Sequence, residues 1–258
     1  MTLVAGAETA IPLTVVIAAR NEAANIAACI DSVRWATEIL VAENGSTDDT
    51  ARLAQEAGAI VLQGGAQTIG GQRNDAIARA THGWILVVDA DERGTPALRD
   101  EIARLLVTEA PDTHEAYRVP RRNWFLGREI KHGGWERDRP VRLFRSTLRY
   151  NDNRVHEHVV TTQPPGTLHE GLWHYPYPSL TLYFDKFNRY SAWWAEQRFA
   201  RGKRASALDL LLRPPGRFFK MYFLQLGFLD GVHGIVLAGL ASASVLAKYA
   251  RLWGKASE

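Results

Sequence analysis

Cysteine is nearly absent from this sequence: among its 258 residues only Cys29 is a cysteine. A single cysteine excludes an internal disulfide framework and fits a protein that works in a reducing compartment. Because Cys29 falls on the apolar face of a predicted helix, we expect a buried and unreactive thiol. The N-terminus also lacks a basic stretch followed by a long apolar core, so we expect no signal peptide.

Cysteines are missing from the neighbourhood of the histidines as well. Four histidines, His156, His158, His169 and His174, lie within a short stretch of the chain. Structural zinc sites usually combine histidine with cysteine at regular spacings. The irregular spacing here therefore argues against structural zinc.

Long hydrophobic runs are also missing. The apolar run at residues 235–247 is interrupted by glycine and serine, and Lys248 follows it. Because about twenty apolar residues are needed to span a bilayer, we expect this run to be too short.

Charge is distributed unevenly along the chain, although the formal net charge is only +3. Residues 1–185 contain 24 acidic and 19 basic side chains, whereas residues 186–258 contain 4 acidic and 12 basic ones. Such asymmetry indicates that the two parts contact different partners. The acidic body and the lack of any nucleic-acid-binding motif argue against nucleic acid as a partner.

Short apolar runs alternate with helical patterns through the first half of the chain. We predict buried strands at residues 14–18, 39–42, 60–62 and 85–88, with amphipathic helices between them. This alternation predicts an α/β fold with a mostly parallel sheet and helices on both faces. From about Leu180 the pattern becomes helical and is broken by Pro214 and Pro215. We therefore divide the chain into a domain at residues 1–178 and a helical region at residues 179–258.

The stretch WILVVDADER, residues 84–93, places two carboxylates directly after a buried strand. The ends of parallel strands meet at one edge of a sheet, so Asn21, Glu43 and Asp89 should converge there. Asp89 and Asp91, separated by Ala90, are suited to hold Mg²⁺ or Mn²⁺, which takes its remaining ligands from water and substrate phosphates. The alternative is a solvated acidic turn.

Three other classes of protein place acidic residues or phosphates at such a sheet edge, and the sequence disfavours each of them. A dinucleotide site needs a glycine-rich turn after the first strand, and the turn Ala19-Arg20-Asn21-Glu22 contains no glycine. A sugar-activating nucleotidyltransferase needs a glycine-rich basic loop at the same place. A phosphatase with an aspartate nucleophile carries its pair after the first strand, not the fourth. A nucleoside diphosphate-sugar lying across the crevice is what remains, with its diphosphate at the metal.

The chain resembles the inverting glycosyltransferases of family 2, which have the GT-A fold. The matching segments are TVVIAARNE (14–22), VAENGSTDDT (41–50), GGQRNDAIARATHGWILVVDADE (70–92) and GGWERDRPVRLF (133–144). The second half is similar to the lipopolysaccharide-core glucosyltransferases of that family, at RLFR (142–145), RVHE (154–157), WHYPY (173–177), KFNRYS (186–191) and DGVHG (230–234). Glu43 departs from the family, which usually has aspartate there.

The resemblance implies a set of site residues. Those implied to bind the nucleotide-sugar are Ala19, Arg20, Asn21, Glu22, Glu43, Gly45, Ser46, Gly71, Arg73, Asn74, Asp89, Ala90, Asp91 and Arg142. The expected metal ligands are Asp89, Asp91 and His156. The expected base is Asp138, with Glu136 as the second choice. The alternatives are a solvated acidic pair matched by arginines and, for Arg73 and Asn74, a polar helix face.

These expectations add up to a metal-dependent inverting glycosyltransferase. It would move a hexose, glucose from UDP-glucose, to a lipopolysaccharide-core or other glycolipid acceptor. Protein, polyprenyl phosphate or polysaccharide acceptors remain alternatives, as does a non-catalytic sugar-nucleotide sensor. The basic, aromatic C-terminal helices are expected to contact an anionic membrane, which would make the protein cytoplasmic and peripheral at the inner face of the bacterial inner membrane. They could instead form a hairpin packed on the catalytic domain or on a dimer partner.

Overall fold

A computed structural model describes residues 10–107, 114–151, 153 and 157–255. The chain forms two compact units. The first contains Met1–Arg121 and Arg139–His174, and the second contains Arg122–Asp138 and Tyr175–Glu258. The division expected from the sequence, after residue 178, lies close to the last change of unit. It differs in that residues 122–138 pack with the C-terminal part.

The strands and helices follow the expected alternation through the first half of the chain, up to α4. The strands are β1 (Ile11–Ala19), β2 (Ala36–Glu43), β3 (Ile60–Gln63), β4 (Trp84–Asp89), β5 (Glu92–Gly94), β6 (Ala116–Arg118), β7 (Arg121–Phe125), β8 (Arg128–Glu129), β9 (Val141–Arg145), β10 (Gly166–Thr167) and β11 (Leu172–Tyr177). The helices are α1 (Ile26–Ser32), α2 (Thr50–Glu56), α3 (Ile69–Ile77), α4 (Pro96–Val107), α5 (Leu180–Ala200), α6 (Ala207–Phe219) and α7 (Gly231–Gly254).

The described part of the first unit contains a seven-stranded sheet in the order β10-β6-β9-β4-β1-β2-β3. The strands β4, β1, β2 and β3 run parallel, whereas β9 lies antiparallel between β4 and β6. The sheet is therefore mostly parallel, and the predicted GT-A fold class with its C-terminal helices is confirmed. The register pairs Ala18 with Asp89 and Ala19 with Glu43, which brings three strand ends side by side.

Apolar residues pack on both faces of this sheet. Successive side chains of a strand point to opposite faces. On β1, Val15 and Ile17 accordingly join one core cluster and Val16 joins another. Cys29 is fully buried in the first cluster, and burial raises the pKa of its thiol. The prediction that Cys29 is buried is thus confirmed.

The second unit is mainly helical. Its core includes Phe125, Ile130, Tyr183, Met221 and Leu237. Within this unit α7 packs on both α5 and α6.

Two prolines lie inside a helix of the C-terminal region, which corrects the prediction that they break the helical pattern there. Pro214 and Pro215 both lie inside α6, which Ser206 caps at its N-terminus. A proline removes one helical hydrogen bond and crowds the preceding turn, but packing can compensate for that cost. Here Pro214 is buried, and its carbonyl accepts a hydrogen bond from the Ser242 hydroxyl on α7 at 2.8 Å.

The last helix is longer than its apolar run. Among the described residues, one helical stretch is long and apolar enough to cross a membrane: Gly227–Gly254, 28 residues, with a mean hydropathy of 1.6 over its best window. The run at residues 235–247 is itself as short as expected, but the helix that contains it passes this test of length and composition. Helical structure continues on both sides of the run, so the run alone does not set the length. Only 22% of that window is buried.

Candidate active site

The turn after β1 is tied to the loop after β2. Asn21 has a left-handed backbone conformation, φ 56°, which asparagine tolerates better than most residues. Its backbone N–H donates to Ser46 Oγ at 3.0 Å, and its side-chain oxygen accepts from the Thr47 N–H at 2.8 Å. The Glu22 N–H donates to Thr50 Oγ1 at 2.8 Å. These bonds bring together the predicted residues of the first two strand ends, whereas Arg20 is exposed beside them.

Glu43 ends β2 and is 3% exposed. Its carboxylate accepts hydrogen bonds from the backbone N–H groups of Ser46 at 2.5 Å and Gly45 at 3.2 Å. Burial would raise the pKa of Glu43, but the hydrogen bonds from Ser46 and Gly45 outweigh it and lower that pKa. Gly45 supplies the turn, with φ 68°. The longer side chain, where the family usually has aspartate, thus folds back onto its own loop and is held ionised.

Helix α3 places its polar residues toward the strand ends. Gly71 lies in the first turn and donates its N–H to Thr68 Oγ1 at 3.0 Å. Gln72, which sequence reasoning missed, donates to the carbonyl of Ala42 at 2.5 Å. The Asn74 amide bonds to both backbone groups of Tyr150 at 2.9 Å. Asn74 therefore holds the segment around Tyr150, which is a structural role.

Asp89 lies at the end of β4 among three guanidinium groups. Arg73 Nη2 lies 2.6 Å from Asp89 Oδ1, and Arg121 Nη2 lies 2.8 Å from Asp89 Oδ2. Arg142 Nη2 also donates to Asp89 Oδ2. Burial would raise the pKa of Asp89, but Arg142, Arg73 and Arg121 together hold it well below its usual range. Asp89 is thus a fixed anion at the centre of the site.

Glu92 completes this cluster and was not predicted. It is fully buried and accepts hydrogen bonds from Arg121 Nε at 2.5 Å and from Arg142 Nη2 at 3.0 Å. Its other oxygen accepts from the Asp89 backbone N–H at 2.8 Å. A glutamate in an acidic turn gives no sequence signal of burial. Only the distant arginines of β7 and β9 make burial possible.

Asp91 faces a histidine, but not the predicted one. His174 Nε2 lies 3.6 Å from Asp91 Oδ1. His174 reaches this place because β11 pairs antiparallel with β5, with His174 opposite Glu92. His156, the histidine expected from the sequence, lies outside the described residues. The neighbouring Ala90 is buried.

These residues fit a divalent cation in part. A carboxylate and an imidazole suit Mn²⁺, and carboxylates suit Mg²⁺. Asp91 and His174 offer these two donors, whereas both oxygens of Asp89 already accept from guanidinium groups. Within the described ranges, no group of three or more potential ligand side chains is gathered around one point. Substrate phosphates and water would have to supply the remaining ligands.

The predicted base residues lie in the second unit. Glu136 is on a short 3-10 turn, Trp135–Arg137, and Asp138 follows that turn directly. Glu136 is exposed, and its carboxylate accepts from the Gly134 N–H at 2.9 Å and from Arg137 Nε at 3.2 Å. Asp138, immediately after the turn, is half-buried. Glu136 thus caps its own loop.

The loop that carries these acids is fastened to the C-terminal helices. Asp230, from the DGVHG segment, accepts from the backbone N–H groups of His132 at 2.9 Å and Lys131 at 3.3 Å. The Gly133 N–H donates to the carbonyl of Gln225 at 2.8 Å. Buried Asp230 is therefore a positioning residue that sequence reasoning did not identify.

The arginine-bound carboxylate predicts a pH-dependent contribution to stability. We expect Asp89→Asn to lower the free energy of unfolding near pH 7 by about 3 kcal/mol, the lower end for breaking a buried ion pair. The lower end applies because the Asp89 side chain keeps 27% exposure. Since the pKa of Asp89 is lower in the folded chain than in the unfolded one, the stabilisation is present above about pH 4 and is lost as the pH falls toward the folded value.

Urea unfolding of both proteins, without divalent cations, from about pH 7 to about pH 3 would measure this contribution. The difference between them should shrink as the pH falls. Asp100→Asn, at an exposed aspartate paired with Arg99, is the control and should cost little at any pH. A difference for Asp89→Asn that stays constant across this range would contradict the assignment.

Comparison with known proteins agrees with this geometry. The family model for glycosyl transferase family 2 matches residues 14–159. The lipopolysaccharide core biosynthesis glycosyltransferase LpsC of Rhizobium meliloti is 31% identical over 255 residues, covering 93% of this chain and 94% of LpsC. An uncharacterized glycosyltransferase of Rickettsia felis is 30% identical over 238 residues, covering 85% and 82% of the two chains.

A solved structure shows a smaller overlap. The crystal structure of glucosyl-3-phosphoglycerate synthase from Mycobacterium tuberculosis, in complex with Mn²⁺, UDP-glucose and phosphoglyceric acid, is 24% identical with a TM-score of 0.38. The overlap covers 43% of each chain, which is less than half of that structure and too little to transfer its ligands. The family match and the relatives at 30% identity or more cover most of the chain. The chain therefore belongs to glycosyl transferase family 2 and is a glycosyltransferase.

Proposed function

We propose that this glycosyltransferase moves a hexose, glucose from UDP-glucose, to a lipopolysaccharide-core or similar glycolipid acceptor, with inversion at the anomeric carbon. The observation that carries the proposal is the strand edge where Asp91 and His174 lie beside the arginine-bound Asp89. The similarity to LpsC over nearly the whole chain supports the acceptor class. Protein, polyprenyl phosphate and polysaccharide acceptors are the alternatives.

The nucleotide would lie over the ends of β1 and β2. Glu43 is ionised, and its hydrogen bonds with Ser46 and Gly45 hold the loop that would contact the base and ribose. Asn21 fixes the facing turn. We propose that Arg73 and Arg142 act by holding Asp89 and by adding positive potential near the diphosphate.

Asp91 and His174 would hold the divalent cation, Mg²⁺ or Mn²⁺. When bound, the cation neutralises charge that develops on the departing diphosphate. Asp89 would not be a direct ligand in this arrangement, because its oxygens are engaged with arginines. His156 remains a proposed ligand from the resemblance alone.

The transfer itself is a single displacement. The acceptor oxygen forms a bond to the anomeric carbon while the bond from that carbon to the diphosphate oxygen breaks, and the diphosphate leaves with the electron pair. A carboxylate takes the proton of the acceptor hydroxyl. We assign this role to Asp138, the residue that the family resemblance implies, with Glu136 as the second choice.

Donor and acceptor can be tested separately. A thermal-shift screen of nucleotide-sugars with and without Mn²⁺ should show the largest stabilisation with UDP-glucose and the metal together. Transfer assays with lipopolysaccharide-core lipid, a polyprenyl phosphate and a protein acceptor would then identify the acceptor. Transfer to one of the other acceptors, and not to core lipid, would overturn the acceptor assignment.

We also propose that the C-terminal helices contact an anionic membrane, which would place the enzyme at the cytoplasmic face of the inner membrane. Large apolar side chains are exposed along α6, the following turns and the start of α7: Leu208, Leu211, Leu212, Phe219, Phe223, Leu224, Leu226, Phe228, Leu229, Val232 and Ile235. Soluble monomers rarely expose so many together. Arg217 and Lys220 lie within the same segment and suit anionic lipid headgroups.

Removing two of these side chains should weaken vesicle binding. We expect Leu224→Asp with Val232→Asp to reduce binding to anionic vesicles at least about tenfold, because each side chain contributes roughly 1.5–3 kcal/mol when buried. Vesicle sedimentation measures the effect. Val107→Asp, at a highly exposed valine of α4 in the first unit, is the control and should bind as the unaltered protein does.

The same variants also test the alternative in which these helices form a dimer interface. Sedimentation equilibrium of the unaltered protein and the double variant gives the oligomeric state. If the substitutions dissociate a dimer and leave vesicle binding unchanged, the apolar surface is a subunit interface and the membrane proposal fails.

A further inference from the structure

A cavity of about 580 Å³ opens beside Asp89 in the first unit. Four arginines line it: Arg73, Arg118, Arg121 and Arg142. The carboxylates that line or adjoin it are Asp89, Glu157 and buried Glu92. The cavity therefore carries an excess of positive charge.

Three polar groups around this cavity lack a partner. Arg73 Nε, Arg142 Nε and the Tyr150 hydroxyl are buried and have no hydrogen-bond partner among the described residues. All three side chains are more than nine-tenths buried. Leaving a buried donor unsatisfied destabilises a protein, so such groups in a native structure call for a missing partner. All three can donate a hydrogen bond, and an oxyanion would accept from them.

Arg118 supplies the fourth guanidinium and differs from the others. It is exposed, and no carboxylate of the described chain lies within ion-pair distance of it. Within the part of the chain that the structure describes, its guanidinium makes a long hydrogen bond, 3.5 Å, to the carbonyl of Arg139. Guanidinium groups bind phosphate and carboxylate through paired N–H groups, so Arg118 is available for an anion at the cavity mouth.

Much of the cavity lies on the opposite side of β4 from Asn21 and Glu43, at the strand ends that would hold the base and ribose. In the sheet, β9 and β6 follow β4 on one side, and β1 and β2 follow it on the other. Arg142 and Arg118 belong to β9 and β6. Asn21, Glu43 and Asp91 are not among the cavity's lining residues. Arg73, Asp89 and Arg142, which we assign to the donor, do line it and would lie between the two ligands. The nucleotide would occupy the β1 side, and the part of the cavity toward β9 and β6 is left for the acceptor.

We propose that this cavity binds an anionic group, a phosphate ester or a carboxylate, carried by the acceptor sugar. The proposal rests on the proposed transferase function, because it assigns the cavity to the acceptor of that reaction. Arg118 contacts the anion directly, and the Tyr150 hydroxyl donates to it. The binding energy of the anion then orients the acceptor hydroxyl, so an uncharged acceptor is used poorly.

Binding of small sugars to the full chain tests the cavity without requiring transfer. Calorimetric titration would compare glucose 6-phosphate, glucuronate and glucose, each with saturating UDP and Mn²⁺. We expect one or both anionic sugars to bind at least about tenfold more tightly than glucose, because hydrogen bonds to charged groups are strong. Which of the two binds identifies the anion as phosphate or carboxylate. Equal binding of glucose would overturn the proposal, and so would competition between the anionic sugar and UDP.

Two substitutions assign the effect to the cavity. Arg118→Gln should weaken binding of the anionic sugar about tenfold, and Tyr150→Phe should weaken it several-fold. Both should leave UDP binding unchanged. Tyr150→Phe removes only the hydroxyl, and the backbone bonds of this residue to Asn74 remain. Arg34→Gln, at an exposed arginine paired with Asp31, is the matched control. Unchanged anion binding in both cavity variants would overturn the proposal.

Kinetics then separate the cavity from the transferase assignment. With an anionic glycolipid acceptor, Arg118→Gln should raise the acceptor KM about tenfold and leave kcat and the donor KM near their original values. If no donor and acceptor pair gives transfer while the anionic sugar still binds, the proposed substrates fail and the cavity stands. If transfer occurs with equal efficiency on charged and uncharged acceptors, the cavity assignment fails and the transferase stands.

Discussion

Asp91→Asn is expected to abolish Mn²⁺-dependent binding of the nucleotide-sugar and to lower transfer about a thousandfold. The change replaces a carboxylate that faces His174 by an amide of the same shape. An amide is a poor ligand for a hard cation, and the cation supplies several kcal/mol of charge stabilisation to the departing diphosphate. Each 1.36 kcal/mol is tenfold in rate, which gives about a thousandfold. Calorimetric titration of UDP with and without Mn²⁺, together with initial rates, measures both effects.

The control for this prediction is Asp100→Asn, an exposed aspartate on α4 that should bind and turn over as the unaltered protein does. His174→Gln should show a smaller loss of metal-dependent binding, because one ligand of the pair remains. If Asp91→Asn binds UDP and Mn²⁺ with unchanged affinity, the cation is held elsewhere and the site at the end of β4 is wrongly assigned.

Asp138→Asn is expected to leave donor binding intact and to reduce kcat by about 10²–10⁴-fold. An amide cannot accept the proton of the acceptor hydroxyl, so the step loses its base while the binding groups remain. Asparagine has the size and shape of aspartate, so the substitution at half-buried Asp138, directly after the 3-10 turn, changes no volume. Single-turnover rates with bound donor, measured beside UDP affinity, separate the two effects.

Glu136→Gln is the matched variant for this test. Its carboxylate accepts from the Gly134 N–H and from Arg137, so the loss should be a modest one that reflects loop order. If Glu136→Gln lost turnover and Asp138→Asn retained it, the two roles would have to be exchanged.

Local patterns were enough to predict the four parallel strands β1 to β4. The apolar run of β1 is one continuous segment of sequence, and so is β4 with its acidic end. Parallel strands in one sheet end at the same edge, so the ends of these two strands meet. The convergence of Asn21, Glu43 and Asp89 could therefore be predicted from the sequence alone. Membership in the glycosyltransferase family, expected from four such segments, is confirmed by the family match.

Contacts between distant antiparallel strands could not be predicted. His174 faces Asp91 only because β11 pairs with β5, and no periodic pattern reports which strand a short segment will pair with. Glu92 is buried and Arg121 is half-buried for a related reason: each neutralises the other. In the sequence both look like ordinary surface charges.

The sequence also wrongly predicted a helix break at Pro214, because proline has a very low helix propensity. Pro214 costs α6 a backbone bond, but its carbonyl gains the hydroxyl of Ser242 from a neighbouring helix. Propensity alone contains no information about such a neighbour. The same neglect of context made residues 235–247 look like an isolated short run.

The attachment of the acidic loop to Gln225 and Asp230 bears on how the enzyme can be shortened. A protein ending at residue 178 keeps the strand ends that would hold the nucleotide, yet loses the carbonyl and the carboxylate that hold residues 131–133. Removing the apolar C-terminal helices to gain solubility would therefore also release the segment that carries Asp138. Detergent or lipid with the full-length chain is the safer route to an active preparation.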